Sequence, residues 1–172
     1  MPSSKPLTLL FADDGSIPNN PTLPLLFYRA AFDLIGTADP EQRIEKIFAS
    51  HGWGKMWRNG IYPYPHYHPT VHKVMGVARG HARVRFGGAN GKELDIGPGD
   101  AMVLPAGTGH QCLSASPDLM VIGAYPPQGR YKLCRGGSRE HERALTSIPQ
   151  VPLPENDPVY GKDGPLKQLW RS

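Results

Sequence analysis

The middle of the chain is cut into short pieces by turn signals, and this limits its possible folds more than any other feature. Arg79-Gly80, Gly87-Gly88-Ala89-Asn90-Gly91, Gly97-Pro98-Gly99-Asp100 and Ser116-Pro117-Asp118 punctuate it, each built on the residues that favour turns. The pieces between them are short and apolar or alternating, which suits strands. Strands are predicted over 55–62, 65–68, 72–79, 81–87, 92–96, 101–104, 109–114 and 118–125. So many short strands in one stretch suggest a β-sandwich or jelly-roll barrel. The 20 glycines and 19 prolines follow no period of three, which excludes a collagen-like chain and fits a turn-rich all-β protein.

At 172 residues the chain is long enough for one well-buried domain and short for two. Residues 1–52 read as an N-terminal strand and helical cover, 53–126 as the barrel core and 127–172 as a loop-rich, proline-rich extension. The first strand, 7–12, ends at Asp13-Asp14-Gly15. Thr22 is positioned to cap a helix with Pro24 in its first turn. Leu25, Leu26, Tyr28, Ala31, Phe32, Leu34 and Ile35 follow at helical spacing until Gly36. Asp39-Pro40 opens a second helix, with Ile44, Ile47 and Phe48 inward, which stops at His51-Gly52. A short helix is predicted at 138–145; beyond it Pro149, Pro152, Pro154 and Pro158 rule out ladder pairing, so the tail should pack along the barrel surface.

Charge and cysteine usage bound the function classes. The net charge of +4 comes with no zinc finger, helix-turn-helix or aromatic-basic strand signature, so no nucleic-acid partner is expected. No apolar run approaches the roughly 18–20 residues of a membrane helix, and residues 7–12 are too short for a secretory signal core. Cys112 and Cys134 form neither a metal spacing nor a disulfide framework. The cytoplasm is the expected compartment.

The chemistry concentrates in two stretches. In Gly60-Ile-Tyr-Pro-Tyr-Pro-His66-Tyr67-His68, the two histidines lie one residue apart and project from one face of an extended strand. Gly99 to His110 is a short apolar run that ends in turn residues and a histidine. With His72, four of the seven histidines fall in these places. Imidazole is a common ligand for transition metals, so a shared site is the reading. The remaining His51, His81 and His141 read as surface residues. Cys112 and the indoles of Trp53 and Trp57 read as core fillers. Tyr62 and Tyr64 share the facing of His66 and either pack or line a pocket.

These stretches resemble the paired motifs of the cupin superfamily. Gly60, His66, His68 and Gly80 stand at the spacings of the first motif, and Gly99, Pro105, Gly107 and His110 at those of the second. The flanks Trp57-Arg58-Asn59-Gly60-Ile61-Tyr62 and Asp157-Pro158-Val159-Tyr160-Gly161 narrow this to the YjlB-like subgroup of small single-domain cupins. The resemblance implies an all-β double-stranded β-helix, the cupin jelly-roll barrel, here with two short N-terminal helices and a proline-rich tail. It also implies a homodimer and a metal in the barrel mouth.

Two positions depart from the pattern. Ser114 stands where asparagine is usual, and Lys73 where the first motif places a glutamate ligand. An ammonium cannot bind a cation unless it loses its proton. A bulge that rotates the strand by one residue would bring in His72 instead. The site is therefore His66, His68 and His110 alone, the same three with His72 as fourth ligand, or degenerate. The expected function is binding of a divalent transition metal (iron, zinc, nickel or manganese) and a small molecule, with oxygenase or Lewis-acid chemistry. Lys73, Tyr62 and Tyr64 are the candidate catalytic residues. The alternative is a metal-free, non-catalytic cupin that binds a small molecule.

Overall fold

The structure, a computed structural model, describes residues 5–171. Its strands are β1 (Leu7–Leu9), β2 (Leu25–Tyr28), β3 (Gly54–Asn59), β4 (Lys73–Arg79), β5 (Ala82–Phe86), β6 (Lys92–Ile96), β7 (Ala101–Leu104), β8 (His110–Ala115) and β9 (Met120–Tyr125). The helices are α1 (Pro40–Ser50), α2 (Ser138–Ser147) and α3 (Leu166–Leu169). Six strands form one antiparallel sheet in the order β1-β2-β7-β4-β9-β3, and three form a second in the order β6-β5-β8.

Strand alternation gives the large sheet two apolar faces. Leu25, Phe27, Met75, Val77, Met102, Leu104 and Val121 point inward and share one core with Val84, Phe86 and Cys112 of the small sheet. Leu26, Tyr28, Val74, Val103, Ile122 and Ala124 point outward and pack on α1 and the C-terminal tail. The molecule is thus layered as small sheet, large sheet, and a cover of helix and tail. Among the described residues no helix is long and apolar enough to cross a membrane.

The N-terminal cover holds one helix where two were expected. Residues 25–28 are a strand, paired on one side with β1 and on the other with β7. Both faces of this strand are buried, so it reads as an unbroken apolar run without the polar alternation that marks a half-buried strand. Asp100 then holds the turn that follows: its carboxylate accepts the Ala30 N–H at 2.9 Å and pairs with Arg29 at 2.8 Å. The second helix forms as its signals suggest. Asp39 accepts the Gln42 N–H at 3.0 Å as N-cap, Pro40 opens the first turn, and Ile44 and Phe48 bury one stripe.

The C-terminal tail is clasped through polar groups. Asp157, wholly buried, accepts the Tyr28 hydroxyl, the N–H groups of Val159 and Tyr160 at 2.8 and 3.0 Å, and that of Leu166 at 3.2 Å. The indole N–H of Trp170 donates to the Pro24 carbonyl at 2.8 Å, and that of Trp53 to the Asn156 carbonyl at 3.0 Å.

Candidate metal centre

Two chain segments build the cluster by pairing with each other. The His66 N–H donates to the His110 carbonyl at 3.2 Å, and the His110 N–H returns the bond to His66 at 2.9 Å. Here the predicted strand at 65–68 consists of two bridges, His66 with His110 and Tyr67 with Cys134. Tyr67, between the two histidines, turns the other way into a small core with Ile17, Cys134 and Ile148. The turn before His110 needs Gly107: φ is 94° there, and a Cβ would meet the Asn19 carbonyl oxygen at 2.7 Å. Asn19 fastens the same turn by accepting the Gly109 N–H at 2.9 Å.

His66, His68 and His110 are buried, and one ring nitrogen of each lies within 4.8 Å of those of the others. Each Nδ1 faces a backbone carbonyl: Tyr64 at 2.9 Å, Lys132 at 2.9 Å and Thr108 at 3.1 Å. A carbonyl only accepts, so each Nδ1 carries the hydrogen and each Nε2 lone pair is left for the shared centre. Burial is the main reason the rings stay neutral. It pushes His66 down to about 4 and His68 to about 2, with His110 well below its ordinary value. Three neutral imidazoles with converging lone pairs fit a divalent transition metal.

Lys73 reaches the same centre. It pairs in register with Leu104 at the start of β4, so its side chain points into the barrel with Met75 and Val77. Its Nζ lies 2.8 Å from His110 Nε2 and 3.1 Å from His68 Nε2. Burial alone lowers its pKa to about 7.

His72 is not part of the cluster, which corrects the expectation of a fourth histidine ligand. Lys73, paired with Leu104, points inward, whereas His72 stands just before β4 and its ring packs against Trp170 at 4.9 Å. Its Nδ1 accepts the Ala106 N–H at 2.9 Å, which braces the turn leading to His110, and its Nε2 finds no partner among the described residues. Tyr62 lines the cavity; Tyr64 does not, but stacks on Tyr62 and supplies the carbonyl that orients His66.

The cluster lies at the base of a cavity of about 470 Å³ whose lining includes no acidic side chain. Trp57, Tyr125 and Tyr131 form much of its wall, and the sequence reading gave none of them this role. Trp57 lies flat over Gly123, where a Cβ would come within 2.0 Å of the ring, and donates its N–H to the Tyr125 hydroxyl at 2.9 Å. A glycine inside a strand was the available signal, since it marks close approach of another group.

A family described as Cupin matches residues 44–131. An uncharacterised protein from Bacillus subtilis (strain 168), YjlB, is 43% identical over 163 residues, covering 95% of both chains. Among solved structures, an acireductone dioxygenase from Bacillus anthracis with a cadmium ion in its active centre aligns at a TM-score of 0.36 with 18% identity. That alignment covers 51% of this chain and 60% of the other. Oxalate decarboxylase from Bacillus subtilis, in a structure at pH 4.6, aligns at 0.38 with 14% identity, over 67% of this chain and 28% of the other. This chain therefore spans less than two thirds of either enzyme. With the relative matched over nearly its full length and the family match over half of it, the chain belongs to the cupin family and is YjlB-like.

Proposed function

We propose that this cupin holds one divalent transition metal through Nε2 of His66, His68 and His110, and binds a small anionic or oxygen-donor molecule beside it. The observation that carries this reading is the set of three Nδ1–H to carbonyl bonds, which leaves three Nε2 lone pairs directed at one another. Gathering three neutral imidazole lone pairs in a buried place costs free energy unless a cation binds them, and in the structure Lys73 Nζ reaches two of the three, those of His68 and His110. Iron, zinc, nickel or manganese suits the donor set. Such a metal, when bound, supplies Lewis-acid polarisation or, if redox-active, electron transfer. The protein's part is to fix the imidazoles, present Lys73 Nζ to the bound molecule and exclude water with Trp57, Tyr62 and Met75. An uncharged Lys73 is also able to act as a fourth nitrogen ligand. The reading includes a homodimer, in keeping with the terminal place of β1 in its sheet and the exposure of Leu7 and Leu10.

A second reading has one observation in its favour. Lys73 Nζ already satisfies the lone pairs of His68 and His110, so its ammonium would serve as the built-in cation of a metal-free binding protein. Elemental analysis combined with light scattering on untagged protein separates the two. The first reading expects about one metal ion per 18.9 kDa chain in a particle of twice that mass, and its loss in His68→Ala. Absence of metal from the wild type after reconstitution with each of the four ions would leave the metal-free reading.

A further inference from the structure

The cavity has a polar floor and an aromatic wall, and together they select a ligand more narrowly than the metal site does. At the floor stand Lys73 Nζ and three imidazoles, with no carboxylate in the lining to balance any positive charge placed there. Whether that charge comes from the lysine or from a metal, the complementary ligand group is an anion.

The wall has two aromatic groups. Trp57, Tyr125 and Tyr131 form the first: Lys73 Nζ lies 5.7 Å from the Trp57 ring centroid, and the Tyr131 ring is 5.9 Å from Tyr125 and 4.9 Å from His68. The indole is immobilised by its seat on Gly123 and its bond to the Tyr125 hydroxyl. Tyr62 forms the second, edge-on to His66 at 5.3 Å and backed at 5.0 Å by Tyr64, which lies under the Arg135 guanidinium at 3.7 Å. Lys73 and the rings of Trp57, Tyr62, Tyr125 and Tyr131 line one cavity, so a flat body held at Lys73 gains ring contacts that an aliphatic chain does not. Arg135 places a second positive charge over Tyr64, behind Tyr62 and outside the lining.

We propose that the barrel mouth takes a flat carboxylate, an aryl or conjugated acid, with its carboxylate at Lys73 and its body against Trp57, Tyr62 and Tyr131. This rests on the barrel mouth being a small-molecule site, and adds the class of ligand. At about 470 Å³ the cavity is in the range of small-ligand pockets and has room for a single-ring acid.

Calorimetric titration with benzoate, benzamide and acetate tests it, with metal content measured on the same sample. Benzoate is expected to bind at least about tenfold tighter than either of the others. Tyr131, half exposed, is replaceable without threat to the fold. Tyr131→Ala is expected to weaken benzoate about fivefold and to leave acetate unchanged. Benzamide binding as tightly as benzoate would overturn the anionic requirement, and acetate doing so would overturn the flat body. Metal-loaded protein that ignores benzoate would overturn the ligand class and leave the metal reading standing. Benzoate uptake by protein without metal would support the class and show that Lys73 holds the anion without a metal.

Discussion

His72 is buried, neutral and turned away from the three clustered histidines, and its cost appears in acid. A histidine in the unfolded chain titrates near 6.5, whereas burial moves His72 down to about 4. Between those values the unfolded state holds the extra proton, so stability is complete above pH 6.5 and falls as pH drops towards 4. The fall is about 1.4 kcal/mol per pH unit, or ~3 kcal/mol across the window. In His72→Asn, the amide oxygen takes over the Ala106 N–H while nothing titrates. Denaturant unfolding between pH 4 and 6.5 should therefore show a shallower pH slope than the wild type, and equal slopes would contradict the assignment. The sequence made His72 and Lys73 rivals for one position and left the choice to a bulge that it could not locate. In the structure the in-register pair Lys73 with Leu104 settles which of the two faces inward.

At the scale of elements, the clasp between β2 and the C-terminal tail was hidden from sequence for two separate reasons. Leu25, Leu26 and Tyr28 sit at helical spacing by coincidence, and a strand buried on both faces carries no polar alternation to contradict that reading. Asp157 looked like one more loop residue, because the four donors that it gathers come from positions as distant as Tyr28 and Leu166. Asp157→Ala leaves those buried donors unpaired at about 1–3 kcal/mol each. Thermal unfolding should show a drop of several degrees or more. A melting temperature unchanged from the wild type would mean that the tail is held by Trp170 and Leu166 alone. By contrast α1 was legible, because Asp39, Pro40 and the Ile44–Phe48 stripe are local signals that tertiary packing reinforces.

For the whole molecule, the barrel was legible because glycine and proline turns bound nearly every strand from β4 to β9, and His66, His68 and His110 were legible because they stand at the spacings of the paired cupin motifs. The walls of the cavity were not. Trp57 and Tyr125 come from neighbouring strands, and Tyr131 from a loop that carries no periodic pattern, so only their three-dimensional pairing reveals a pocket. The layered fold places the histidine cluster where two segments cross beneath that pocket, and Lys73 rises into it from the central strand β4. What occupies the space between the three Nε2 atoms decides the chemistry of the site. Cobalt(II) titration followed by visible absorption, on wild type, Lys73→Met and His110→Ala, addresses this directly. Saturation is expected at about one equivalent in the wild type and in Lys73→Met, with no saturable site in His110→Ala. A wild type that takes up no cobalt while Lys73→Met does would contradict it, and would make the lysine amine the occupant.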